Sequence, residues 1–65
     1  MKYKKNELVL NENGHTLKCI CADSDTAVFG RFFKTKNGSR TSYRTLVAYS
    51  NTDNSTDLLQ KLNLE

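Results

Sequence analysis

The sequence predicts a small α+β domain: a curled four-stranded antiparallel meander with a short C-terminal helix packed on one face. Three observations lead to this prediction. Two Asn-Gly dipeptides, Asn13-Gly14 and Asn37-Gly38, each lie between segments rich in β-branched and aromatic residues. A short polar segment, residues 23–26, separates the two halves, and leucines at helical spacing follow residue 55. The alternative is a small SH3-like β-barrel in which the helix is only a tail.

The length of the chain, 65 residues, allows one domain spanning residues 1–65. A domain of this size buries only about 60% of the surface of its unfolded chain, so its stability is expected to be small. The sequence has no run of about 18 apolar residues that could cross a membrane. No apolar segment follows the basic N-terminus, so we expect no secretory signal and a cytoplasmic location. The last two residues, Leu64 and Glu65, are assigned no function.

Each Asn-Gly dipeptide is expected to form the turn of a β-hairpin, because both residues accept the positive φ angles of a type I′ turn. The first hairpin then has strands near 6–12 and 15–22, and the second has strands near 26–36 and 39–49. The short polar side chains of residues 23–26 suit a tight turn between the hairpins. A helix over 55–63 would be too short to persist alone, so it must pack on the sheet.

Counting outward from two-residue turns gives a register, and the register sorts the side chains onto two faces. In this register Leu10 faces Leu17, and Cys21 faces Val28. One face is expected to form the core with the helix: Leu8, Leu10, Leu17, Cys19, Cys21, Val28, Phe32, Tyr43 and Val47. Gly30 lies on this face at a position typical of a bulge or of a close approach by the helix.

The opposite face carries the main functional signal. Residues 26–52 contain no acid but five cations. The predicted register places three cations in one row, where like charges destabilise a sheet unless an anion binds them. We therefore predict a small nucleic-acid-binding module, for single or double strands. Its binding residues are expected to be a row of three cations, two flanking phenylalanines and three cations at the hairpin tip: Lys18, Arg31, Arg44, Phe29, Phe33, Lys34, Lys36 and Arg40.

A protein-interaction module is the alternative function, as an inhibitor, an adaptor or a homodimer. The interface would be an apolar patch on the same face, formed by Ile20, Phe29, Phe33 and Leu46. The basic row would then complement an acidic protein partner.

Catalysis and cofactor binding are not expected. The thiols of Cys19 and Cys21 lie two residues apart on a strand, about 6.6 Å, too far for a disulfide between them. A structural zinc site needs four ligands, and the sequence has no second Cys/His cluster. His15 lies about 13 Å along the strand from Cys19, beyond the reach of a catalytic Cys-His pair.

Overall fold

The computed structural model describes residues 2–54 and 59–62. All the strands in these ranges belong to a single antiparallel sheet. The sheet has the strand order β4-β3-β2-β1-β5, so its first four strands form the predicted meander. The strands are β1 Leu8–Leu10, β2 Thr16–Ala22, β3 Thr26–Thr35, β4 Gly38–Ser50 and β5 Gln60–Lys61. In the part of the chain that the structure describes, no helix is long and apolar enough to cross a membrane.

The predicted helix over 55–63 is wrong. Gln60–Lys61 forms β5 and pairs with β1, and the N–H of Leu62 donates to the carbonyl of Leu8 at 3.0 Å. Residues 55–58 and 63 lie outside the described residues. A nine-residue helix has little stability of its own, whereas the outer edge of β1 offers free main-chain groups to a passing segment. The barrel alternative is also wrong, because the sheet is open and its two edge strands, β4 and β5, are not paired with each other.

The first Asn-Gly turn is longer than predicted. Leu10 pairs with Thr16, so the connection has five residues, Asn11–His15. The side chain of Asn11 organises this loop, because its Oδ1 accepts the N–H of Asn13 at 3.0 Å and that of His15 at 2.8 Å. Such an Asx turn replaces the type I′ turn that the dipeptide alone favours.

The longer loop exchanges the two faces of β1. Val9 pairs with Leu17, whereas the prediction paired Leu10 with it. A shift of one residue moves every side chain of a strand to the other face. Val9 is therefore fully buried, whereas Leu8 and Leu10 are only half-buried.

The turn between the two hairpins is confirmed, but a bulge follows it. Cys21 pairs with Val28 as predicted. The ladder then shifts by one residue at Ile20, so that Cys19 pairs with Phe29. Residues beyond the bulge therefore have partners one position away from the predicted ones.

The second hairpin has a different turn and a larger bulge. Thr35 pairs with Gly38, so the two-residue loop is Lys36-Asn37 and not Asn37-Gly38. Further from the turn, the pairing is irregular. Phe32 pairs with Thr41, and the next regular pair is Gly30 with Leu46. Between these pairs, four residues of β4 oppose a single residue of β3: Ser42–Thr45 lie opposite Arg31.

The core lies on one face of the sheet, under the N-terminal segment. Its buried apolar side chains are Tyr3, Val9, Leu17, Cys19, Ala27 and Phe29. Of the predicted core, Leu17 and Cys19 are confirmed. Phe29 is central, and its ring makes edge-to-face contacts with Tyr3 and Tyr49 at centroid distances of 5.3 and 5.6 Å. Edge-to-face packing of this kind adds stability beyond the burial of area.

Candidate nucleic-acid interface

A groove continues the core face toward the hairpin tip, beyond the part that the N-terminal segment covers. It has a volume of about 780 Å³ and lies between the Asn11–His15 loop and the Ser42–Thr45 bulge. We call it the basic groove. Its lining combines polar residues, an apolar floor and two arginines: Asn11, Glu12, Asn13, His15, Leu17, Arg31, Phe33, Ser42, Arg44, Thr45, Val47 and Tyr49.

Two arginines stack against one phenylalanine at the tip side of the groove. The guanidinium carbon of Arg31 lies 5.2 Å from the ring centroid of Phe33, and that of Arg40 lies 5.3 Å from it. Alternation explains the contact, because Arg31 and Phe33 are two residues apart on β3 and Arg40 pairs directly with Phe33. Stacking restrains both side chains by a cation–π attraction and leaves guanidinium N–H groups available to a ligand.

The β4 bulge places Arg44 at the groove. The N–H of Arg44 donates to the Oγ of Ser42 at 3.3 Å, which helps to hold the bulged backbone. The predicted bulge at Gly30 is confirmed, because the ladder shifts between Gly30 and Phe32. The close approach there is by β4 and not by a helix, since a Cβ at position 30 would collide with the main-chain oxygen of Ser42. Only glycine at position 30 lets the bulge pack this closely onto β3.

The arginines at the groove make no ion pair within the described residues. No carboxylate among them forms an ion pair with the guanidinium groups of Arg31, Arg40 or Arg44. Glu12 is the acidic residue of the lining, and it makes no ion pair with these arginines. A described ion pair, Lys61 with Glu7 at 3.4 Å, lies outside the lining. The groove is therefore an electropositive surface that is open to an anion.

The structure separates the residues of the predicted basic row. Lys18 pairs with Gly30, the neighbour of Arg31, so the side chain of Lys18 points to the opposite face. Arg44 lies in the bulge and has no regular partner on β3. The prediction that Lys18, Arg31 and Arg44 lie side by side in one row is therefore wrong. Arg31 and Arg44 nevertheless both line the basic groove.

The other predicted site residues are also divided between surfaces. Phe29 is fully buried in the core, so it cannot stack on a ligand, and the apolar patch predicted around it does not exist. Lys34 lies on the opposite face, where it lines a second, smaller cavity with Leu8 and Phe32. Lys36 is exposed in the two-residue turn of the hairpin.

Several residues of the groove were not among the predicted binding residues. His15 is half-buried at the loop side, and Val47 and Tyr49 form part of the floor. The sequence shows that Val47 and Tyr49 alternate along β4 and therefore share a face. Which face that is depends on the register that the bulge sets, so the sequence alone does not assign them to the groove. Asn11 provides a local signal, since an Asn two residues before Asn13 favours an Asx turn.

The cysteines offer no comparable site. In the described residues, no group of three or more His, Cys, Asp or Glu side chains is arranged to hold a metal ion. Cys19 is buried and its thiol donates to the carbonyl of Cys21 at 3.3 Å, whereas Cys21 itself is exposed. Burial raises the pKa of the Cys19 thiol, which lowers its reactivity.

Comparison with known proteins identifies no family for this chain. No protein-family model matches it, and no curated protein or solved structure matches it either. Its function is therefore inferred from the residues of the basic groove.

Proposed function

We propose that this chain is a small, non-enzymatic nucleic-acid-binding module that binds its ligand in the basic groove. The observation that carries the proposal is the arrangement of Arg31 and Arg40 on the ring of Phe33, with Arg44 in the lining of the same groove. A guanidinium group bridges phosphate oxygens with two parallel hydrogen bonds, and restraint of its side chain lowers the entropy lost on binding.

The apolar floor favours single strands over duplexes. Leu17, Val47 and Tyr49 line the groove together with Arg31 and Arg44. In a duplex the bases are stacked inside and only their edges reach a protein surface, whereas a single strand can lay its bases on an apolar or aromatic floor. Each base stacked on an aromatic side chain contributes about 1–3 kcal/mol. Phosphates at the arginines and bases on the floor would use both parts of the lining.

The test is a titration of labelled single-stranded and duplex oligonucleotides at low and moderate salt, followed by fluorescence anisotropy. We expect binding that prefers the single strand and weakens with salt. Three phosphate contacts on a single strand predict a slope of about −2 for the logarithm of the association constant against that of the salt concentration. The double variant Arg31→Glu/Arg44→Glu should weaken binding about tenfold or more, because it removes charge-assisted hydrogen bonds to two phosphates and adds repulsion.

A matched control uses the opposite face. The double variant Lys18→Glu/Lys34→Glu changes the net charge by the same amount but leaves the groove unaltered. It should retain most of the affinity, with circular dichroism verifying that both double variants fold. An equal loss of affinity in the two double variants would show binding by diffuse charge and would contradict a groove site.

An acidic protein partner is the competing outcome of the same test. Polyglutamate offers negative charge without bases, so it should compete poorly with a single-stranded oligonucleotide for the basic groove. Absence of oligonucleotide binding at low salt, together with tight binding of polyglutamate, would replace the proposal by an acidic protein partner.

A further inference from the structure

The outer edge of β4 is an uncovered edge of the sheet. β4 contains 13 residues and ends the strand order on one side, whereas β5, with two residues, ends it on the other. Among the described residues, no strand lies beyond β4. The free N–H and C=O groups of such an edge are a template for pairing with another chain.

Three residues near the end of β4 turn their main-chain polar groups outward. The N–H of Asn51 donates to the carbonyl of Asp25 at 2.9 Å, and the same register continues back along β4 for five residues. Hydrogen-bonded and non-hydrogen-bonded positions alternate in an antiparallel pair, so the odd-numbered residues of this segment bond to β3. The even-numbered residues therefore present their N–H and C=O groups at the free edge: Leu46, Ala48 and Ser50.

The two halves of this edge differ in their protection against pairing. Proteins protect edge strands with charges, proline or bulges. The half near the hairpin tip has the Ser42–Thr45 bulge and the cations Arg40 and Arg44. The other half, Leu46–Ser50, has no charge, no proline and no irregularity. Two of its apolar side chains, Leu46 and Val47, are 46% and 37% exposed.

We infer that Leu46–Ser50 pairs antiparallel with the same segment of a second copy of the chain, around a two-fold axis at Ala48. The segment is self-complementary in this register. Leu46 faces Ser50 of the second copy, and Val47 faces its Tyr49, a β-branched and aromatic pair of the kind that stabilises sheets. Ala48 faces itself, so the smallest side chain of the segment lies at the axis, where a residue must pack against its own copy.

The charges also permit a second copy. Like charges directly opposite each other destabilise a strand pair. Arg44 lies four residues from the axis in each copy, so the two Arg44 residues lie beyond opposite ends of the paired segment. Because only a short edge is buried, the interface is small and the dimer is expected to be weak and reversible.

A two-fold axis perpendicular to the sheet keeps the same face of both copies on one side. Val47 and Tyr49 line the basic groove and belong to the paired segment. The grooves of the two copies would therefore open on the same face of the joined sheet, with the new strand pair between them. This dimer is independent of the proposed function, since it uses main-chain groups at the edge and not the groove arginines.

Sedimentation equilibrium over a wide range of protein concentrations tests the inference. We expect a reversible monomer–dimer equilibrium for the unaltered chain. Ala48 is exposed, so Ala48→Lys and Ala48→Glu should fold but each should raise the dimer dissociation constant about tenfold or more by placing like charges at the axis. An equimolar mixture of the two variants should restore association as a mixed dimer.

Ala48→Pro provides a second, main-chain test. Proline at position 48 would remove only an N–H group that points away from β3, and edge strands tolerate proline at such positions. It should abolish the dimer without altering the sheet, whereas Ala48→Ser, which keeps the N–H, should not. Salt should strengthen the dimer, because each copy carries a net charge of +3, although salt is expected to weaken nucleic-acid binding. A chain that stays monomeric at all concentrations, or an Ala48→Lys variant that still dimerises, would overturn the inference.

Discussion

The side chain of Asn51 forms hydrogen bonds with both the N–H and the C=O of Tyr3. Its Oδ1 accepts the N–H of Tyr3 at 2.5 Å, and its Nδ2 donates to the carbonyl of Tyr3 at 3.1 Å and to that of Asp23 at 2.6 Å. Asn51 is fully buried, so these bonds fix the N-terminal segment over the core in a place where water cannot replace them.

Replacement of Asn51 should therefore be costly. Asn51→Ala removes three hydrogen bonds to main-chain groups, and we expect a loss of about 1–3 kcal/mol in the free energy of unfolding, measured by urea denaturation. Asn54→Ala is the matched control, because Asn54 is exposed three residues further on, and it should change stability by less than about 0.5 kcal/mol. Equal effects of the two substitutions would refute the role of Asn51.

Phe29 and Phe33 should respond in opposite ways to truncation. Phe29 is fully buried, so Phe29→Ala should cost about 3–5 kcal/mol of stability, enough to unfold a domain of this size. Phe33 is half-buried, and its ring contacts the guanidinium groups of two arginines. Phe33→Ala should therefore leave the fold intact but weaken single-strand binding. Urea denaturation and anisotropy titration measure the two effects. A Phe33→Ala variant that unfolds as readily as Phe29→Ala would contradict this division.

The two thiols should react at different rates. The raised pKa of Cys19 means that less thiolate is present at a given pH than for an ordinary cysteine, and burial also blocks access to the sulfur. Labelling with a disulfide reagent at mildly alkaline pH should show one fast and one slow thiol. Cys21→Ser should remove the fast phase and leave the slow one. Two equally fast phases in the folded protein would contradict the burial of Cys19.

Asp23 should make stability depend on pH at the acid end. Main-chain hydrogen bonds from Thr26 at 2.7 Å and from Asp25 at 2.8 Å hold the pKa of Asp23 below its ordinary value of 3.8. A lowered pKa in the folded state means that the stabilisation is present above pH 3.8 and is lost as the pH falls through the folded value. Urea denaturation above and below pH 3.8 measures this loss.

The variant Asp23→Asn keeps an acceptor oxygen but cannot titrate, so its stability should fall less on acidification than that of the unaltered chain. Asp25→Asn is the control, because the carboxylate of Asp25 accepts no main-chain hydrogen bond in the described structure. A steeper acid loss in Asp23→Asn than in the unaltered chain would show that another group controls the dependence.

The sequence predicted the strands better than their alignment. Four strands and their order follow from apolar alternation between turn residues, and the pair of Cys21 with Val28 follows from the two-residue turn beside it. The register elsewhere depends on an Asn11 side chain that lengthens one loop and on two bulges. Bulges are stabilised by packing across the sheet, so a count along the chain cannot find them. The error in register placed Phe29 on the predicted binding face, whereas it lies in the core.

The C-terminal segment shows a different limit. The spacing of Leu58, Leu59 and Leu62 favours a helix, but Gln60 and Lys61 form a strand. Propensity over so few residues is weak, and pairing with the edge of β1 overrides it. Among the site residues, Arg31, Arg40 and Arg44 could be selected from the one-sign stretch of charge, because that signal does not depend on register.

The Ser42–Thr45 bulge divides the long hairpin into two ladders with separate registers. The ladder at the base, from Thr26 to Gly30 on β3, contributes Ala27 and Phe29 to the core, and the ladder at the tip, from Phe32 to Thr35, contributes nothing to it. Since the bulge absorbs the offset between them, the tip can gain or lose pairs of residues while the base keeps its alignment. The hairpin tip is therefore an insertion site, where a foreign loop could be grafted without refolding the remainder of the domain.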